Sequence, residues 1–251
     1  MDEPTKKQQI LQDLRKFFLS RTSIVYVLSD EEDRVEGLLK EVSSTLQPRP
    51  KLFIWNPFQG LTEDHAGIEN SIHPLEALDK VIERTDQAIY LFEGIHSFLK
   101  TNPLVSRKLK DLHRALRNRY STVFIVAPYL VVPEDLHRDM IVYELPMSDA
   151  NEVERTLMGV VSGSPHASQL MESLTPKFKD QLVKVTEGFN GAEIEQAVSG
   201  AMIEAFDSGR PLNEQDIVIA AGNIVPLAIT MREEIGRIER WAYNRAIPAS
   251  K

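Results

Sequence analysis

The 251-residue sequence has no cysteine. That excludes disulfides and thiolate metal sites and makes a reducing compartment the expectation. No glycine is followed by lysine, so the G-x-x-x-x-G-K-[ST] loop, whose backbone N–H groups and lysine hold nucleotide phosphates, is absent. No apolar run approaches the roughly 18 residues of a membrane span. The polar, mixed-charge start MDEPTKKQQ has no signal-peptide core. Positive charge is in deficit: 29 Lys and Arg against 37 Asp and Glu give a net charge of −8. This balance disfavours a nucleic-acid protein, though it leaves room for a local basic face. The six histidines are scattered and show no metal-ligand spacing, and no Ser-His-Asp or paired-carboxylate arrangement can be argued. No repeat or low-complexity segment is present. A hydrophobic content of 42% can fill a core, and the length allows one large domain or a main domain plus a small one. The expectation is a soluble, cytoplasmic globular protein, complete from its start methionine.

The stretch Ser23 to Leu39 organises the first half. Ile24–Leu28 (IVYVL) is apolar throughout, as in a strand buried on both faces of a parallel sheet. A helix follows, capped by Ser29 or Asp30, with Val35, Leu38, Leu39, Val42 and Leu46 on one side. Its first turn reads Asp30-Glu31-Glu32-Asp33. Those carboxylates suit the helix dipole but repel a polyphosphate. The first glycine after the strand is Gly37, already inside the helix, so no open backbone nest forms. Further strands are expected at Lys51–Trp55, Ala88–Phe92, Thr122–Ala127 and Met140–Leu145. Helices are expected at 10–19, 75–84 and after Asn102-Pro103, with 56–73 as a loop. This alternation means βαβ units and a three-layer parallel sheet. After Pro146 everything reads as helix. Asp149-x-x-Glu152, Thr175-Pro176, Asn213 and Thr230-x-x-Glu233 are caps, and Ile194, Ala197, Val198, Ala201 and Ala205 form a buried stripe. In the last helix Ile235, Ile238 and Trp241 are expected to point inward.

Several segments resemble AAA+ ATPases. Thr186-Glu187-Gly188-Phe189-Asn190-Gly191-Ala192-Glu193-Ile194 is similar to the T-x-G-[FY]-[ST]-G-A-[DE]-[IL] stretch that opens a lid helix. Leu145-Pro146-Met147-Ser148-Asp149 is similar to the join between core and lid. The tail from Val225-Pro226 through Trp241 to Pro248-Ala249-Ser250 resembles a cyanobacterial and algal-plastid AAA+ family known as a hypothetical chloroplast reading frame. Members of that family carry a degenerate AAA-like domain before an ordinary ATPase domain. The present α/β half looks like that degenerate domain, with its Glu32-Asp33-Arg34-Val35 turn and its Phe92-Glu93-Gly94-Ile95-His96 strand end. The resemblance implies an AAA+-like three-layer α/β core over residues 1–146, with five parallel strands in the order 5-1-4-3-2. It implies an all-helical C-terminal lid over residues 147–251, with the catalytic core missing between them.

The resemblance also implies roles. Gly191, Ala192 and Glu193 would approach a nucleotide from the lid, or simply start a helix well. Glu93 stands at the first acid of a vestigial Walker B strand, where it could hold a metal, or is an ordinary strand-end carboxylate. Gly94 replaces the water-activating acid. Pro128 stands at the sensor-1 position and offers no side-chain donor. Arg138 lies near an arginine-finger position, against an ion pair with Asp139 or Glu134. His96 reads as a loop or core histidine. Arg107, Lys108, Lys110, Arg114, Arg117 and Arg119 form a subunit interface, an anion-binding face or a solvated face. The expected function is a pseudo-ATPase without a Walker A motif, kept as a protein-interaction, assembly or regulatory module. It has no catalytic residue, no metal and no required cofactor. Its partners are proteins, either itself or an active AAA+ protein; a membrane is not expected and nucleic acid is disfavoured. The alternative is a nucleotide-binding ATPase or sensor that takes ATP or ADP with Mg²⁺ through an unusual phosphate loop.

Overall fold

The computed structural model describes residues 5–133, 136–146, 176–186, 188–226 and 229. The described residues up to Pro146 form one compact unit and those from Pro176 onward a second. In the first unit β1 (Ile24–Leu28) lies inside the sheet, paired in parallel with β6 (Ser121–Ala127) on one side and β7 (Ile141–Glu144) on the other. Parallel pairing continues from β6 to β5 (Ala88–Glu93) and from β5 to β2 (Lys51–Asn56). The five parallel strands thus stand in the order the resemblance implied.

The sheet has seven strands rather than five, because the stretch expected as a loop folds. Gly60–Glu63 forms β3, antiparallel to β2, and Ala66–Gly67 forms β4, antiparallel to β3. The turn between them holds Asp64 and His65 at φ 47° and 67°. Ser71 pins the hairpin down: Trp55 Nε1 donates to its carbonyl at 2.8 Å and the Leu61 N–H donates to its hydroxyl at 2.8 Å. Gly60 has φ +70°, and a Cβ there would stand 2.8 Å from Ser71 Oγ. Glycine is therefore required at that crossing.

Alternate residues of each strand feed opposite faces. Ile24 and Tyr26 join the core under α3 (Pro74–Glu83) and α5 (Pro103–Leu116), and Val25 and Val27 join the core under α1 (Lys6–Leu19) and α2 (Glu32–Thr45). Helices cover both faces, as the continuous apolar strands demanded. A short α4 (His96–Thr101) follows β5.

The described part of the second unit is helical: α6 (Pro176–Val185), α7 (Gly191–Asp207) and α8 (Glu214–Gly222). The expected stripe of Ile194, Ala197, Val198, Ala201 and Ala205 is buried, packed with Phe178, Leu182 and Ile217. Asn213 caps α8 by a capping box with Asp216, which also receives two short bonds from Arg210 at 2.6 and 2.7 Å. The caps expected at Asp149–Glu152 and Thr230–Glu233, and the helix carrying Ile235, Ile238 and Trp241, lie outside the described residues.

Candidate functional site

The parallel strands end together above the start of α2, the place where a doubly wound sheet presents a ligand crevice. Ser29, just past β1, donates its N–H to the Ala127 carbonyl at 2.9 Å and accepts the Glu31 N–H on Oγ at 3.1 Å. The sequence suggested Ser29 or Asp30 as the cap of this helix, and neither is. Glu31 is the N-cap, without a side-chain capping bond. The Ser29 hydroxyl instead closes the tight turn that precedes it. Arg34 donates to the Glu31 carboxylate at 2.6 Å and to the Pro146 carbonyl at 3.0 Å, fastening the turn to the end of the unit.

Glu93, the last residue of β5, is half-buried beside this turn. Burial, then the negative charges of Glu32, Glu36 and Asp33, push its carboxyl up to about 7. Glu32 is raised too, by burial and by Asp33. Glu36 is offset by an ion pair with Lys40. Four carboxylates therefore share the space above the strand ends. Among the described residues no group of three or more His, Asp or Glu side chains could hold a metal ion. Gly94 follows at φ +72°, with Pro57 next to the place of its missing Cβ.

The loop after β6 is built on the core. Tyr26, fully buried in β1, donates to the Tyr129 carbonyl at 2.7 Å and accepts the Val131 N–H at 3.2 Å. Pro128 in this loop is exposed. His96 packs edge-on against Tyr129 with ring centroids 5.1 Å apart, and Lys100 lies over the same ring at 4.5 Å. Burial and Lys100 lower the His96 pKa, and its Nδ1 has no hydrogen-bond partner among the described residues.

Arg138 is exposed in the turn before β7. Its expected ion pair with Asp139 is not formed. Asp139 faces His113 Nε2 instead, at 3.7 Å, and Glu134 lies outside the described residues. His113 Nδ1 is 2.8 Å from the Ser23 hydroxyl. The structure thus assembles a Ser23–His113–Asp139 chain from positions far apart in sequence, which no local spacing could announce. Ser23 is only 4% exposed, so the chain ties α5 to the entry of β1 and to the turn before β7 rather than presenting a nucleophile.

In the second unit Gly191, Ala192 and Glu193 open α7. Asn190 accepts the Glu193 N–H at 2.8 Å and Glu193 accepts the Asn190 N–H at 2.8 Å. The Glu193 carboxylate is therefore engaged in a capping box, the structural role weighed for it from sequence. The basic helix is partly compensated. Lys108 meets Asp79 at 2.6 Å, Arg107 and Arg114 share Asp111, and Arg119 donates to the carbonyls of Ile82 and Arg84.

The profile of the SpoVK-like AAA ATPase N-terminal domain matches residues 10–145, more than half of the chain. The chain belongs to that family. It is 26% identical over 193 residues to the uncharacterized AAA domain-containing protein ycf46 of Guillardia theta, a match covering 75% of this chain and 36% of that one. The ycf46 protein of Gracilaria tenuistipitata var. liui is 47% identical over 66 residues, 26% of this chain. The match to the Trieres chinensis ycf46 protein covers 43% of its length, so the chain spans less than half the length of these relatives. The AAA domain of FIGL-1 superposes with a TM-score of 0.67 at 11% identity, covering 97% of this chain and 88% of that one. The same domain in complex with ADP gives 0.66, covering 90% and 79%. A katanin structure described for its self-assembly gives 0.61 at 14% identity, covering 90% and 86%. At such identities the likeness is one of fold. The protein is an AAA-family, ATPase-like protein with a mixed α/β core. Among the described residues no helix is long and apolar enough to cross a membrane.

Proposed function

We propose that the chain is a pseudo-ATPase: an AAA+ fold kept as an interaction, assembly or regulatory module, working in the cytoplasm with itself or with an active AAA+ protein. The observation that carries this reading is the cluster of Glu93, Glu32, Asp33 and Glu36 at the start of α2. A helix N-terminus at the strand ends is where an α/β fold would receive phosphate. Here the turn contains no glycine and its first residues are acids. A polyphosphate placed there meets like charge in a partly dry site, where Coulombic repulsion is strong. ATP and ADP therefore do not fit these residues. Residues 1–146 act as the degenerate core and residues 147–251 as the lid. Arg138, exposed before β7, is the candidate to reach a neighbouring subunit.

The test is isothermal titration of ATP and ADP, with and without Mg²⁺. Silence at millimolar nucleotide is expected. A heat with stoichiometry near one overturns the proposal and favours a second reading, a nucleotide sensor. That reading draws on the ADP-bound FIGL-1 domain of the same fold and would use Gly191, Ala192 and Glu193 from the lid.

A further inference from the structure

The tie between Ser23, His113 and Asp139 holds three elements together at one end of the sheet: the entry of β1, the last turn of α5 and the turn before β7. That end is rich in arginine. Arg21, in the turn ahead of β1, lays its guanidinium over the Tyr120 ring at 4.3 Å and donates to the Tyr120 hydroxyl at 3.1 Å. Arg107, Arg114 and Arg117 stand exposed at i, i+7 and i+10 on the outer side of α5. Arg107 and Arg114 share the one carboxylate of Asp111, at 3.3 and 3.5 Å. Arg21 and Arg117 have no carboxylate partner among the described residues. Arg138, exposed next to Asp139, adds to the same field. Positive charge is left over at this end.

The net charge of −8 does not cancel it. The acids of the α2 turn follow the opposite end of β1. Five residues of strand, at about 3.3 Å each, put the two ends roughly 16 Å apart. The screening length at physiological salt is about 8 Å. A ligand therefore feels chiefly the charge of the end it approaches.

The make-up of the α5 side says what fits there. Between residues 107 and 117 every exposed position is arginine, and Leu109, Leu112 and Leu116 are buried beneath. A protein partner needs an apolar centre to its contact, and this side offers none. A phosphodiester backbone needs only charge and hydrogen-bond donors. Guanidinium groups supply both, in a fork that matches phosphate oxygens. Arg107 to Arg117 covers about 15 Å of helix, enough for more than one phosphate. Arg21, lying on Tyr120, offers a plane on which an unpaired base can stack. A duplex keeps its bases inside and leaves that plane unused.

We propose that a single-stranded nucleic acid binds across the outer side of α5, with its phosphates on Arg107, Arg114 and Arg117 and a base against Arg21. The contact recognises charge and an unpaired base, not a sequence. It goes beyond the assembly reading and does not rest on it.

The test is fluorescence anisotropy of the purified chain with a labelled oligouridine of about twelve nucleotides. Saturable binding is expected at about 50 mM salt. Four contacts imply a slope near −3 in log affinity against log salt, so raising salt to about 200 mM should weaken binding roughly fiftyfold. The pair Arg114→Glu and Arg117→Glu should cost more than about tenfold and halve that slope, with the circular dichroism spectrum unchanged. Arg21→Lys keeps the charge and loses the plane. It should keep the slope, weaken single-strand binding roughly fivefold, and remove the preference over a duplex of equal length. No binding, a flat salt response, or survival of the double charge reversal would overturn the proposal. Equal affinity for the duplex in the unmodified chain would also overturn it. Displacement by polyglutamate at matched charge would overturn it in favour of an acidic protein partner.

Discussion

Tyr26 sits fully buried in the middle of β1, and its hydroxyl donates to the Tyr129 carbonyl at 2.7 Å. The same oxygen accepts the Val131 N–H. One core side chain thus fixes the loop that follows β6. Tyr26→Phe keeps the ring and removes both bonds, leaving a backbone N–H and C=O in search of partners. A loss of about 1–3 kcal/mol is expected from urea unfolding. Faster hydrogen exchange at Val131 should accompany it. Unchanged exchange at Val131 would mean the loop is held by other contacts.

Glu93 gives the fold a distinctive pH dependence. Its carboxyl titrates at about 7 in the folded chain, raised by burial and then by Glu32, Glu36 and Asp33. In the unfolded chain it titrates near the ordinary glutamate value. Between those limits the folded state holds the extra proton, so stability falls as pH rises from about 4.5 to about 7. Glu93→Gln removes the effect. After allowance for solvent reaching the half-buried carboxylate, the variant should be about 1 kcal/mol more stable than the parent at pH 8. It should show a flatter pH profile and little difference at pH 4.5. Loss of stability in Glu93→Gln at pH 8 would show that the ionised carboxylate has a favourable partner.

Much of this architecture was legible because the strands are long and apolar. IVYVL, AIYLF and TVFIVA admit only burial on both faces, and that fixes a parallel sheet with helices on each side. The edge hairpin was not legible. GLTE and AG are short and polar, and what folds them is the tertiary hold of Ser71 on Trp55 and Leu61. Helix α4, with six residues, is too short to show a helical period. At the site, the acids of the α2 turn could be read directly. That Glu93 lies among them depends on β5 ending beside α2, and the Ser23–His113–Asp139 chain depends on three separate elements meeting.

The second unit depends on a local ion pair. Asp216 is 8% exposed and meets both terminal nitrogens of Arg210, which with the Asn213 N–H hold its carboxyl below the usual carboxylate range. A lowered pKa contributes stability above the unfolded value, and that stability is lost as pH falls through the folded one. The second unit should therefore weaken only below about pH 4, in the opposite sense to Glu93. Asp216→Asn breaks the pair and the capping acceptor together. The residues of α8 should then exchange faster at pH 7 while those of β1 and β6 keep their protection. Equal acceleration in both units would mean that they unfold as one.

ATP turnover offers the sharpest check on the proposed function. Hydrolysis needs an acid to hold the metal, a second group to polarise water, and donors for the developing charge. Here Gly94 follows Glu93, Pro128 follows β6, and the α2 turn is acidic. Phosphate release by the purified chain is expected at buffer background, and Glu93→Ala should leave it there. Turnover above background that Glu93→Ala abolishes would make Glu93 a working metal ligand and end the pseudo-ATPase proposal. Turnover that survives Glu93→Ala would point to Glu32, Asp33 or Glu36, which share the space with Glu93, and would equally count against the proposal.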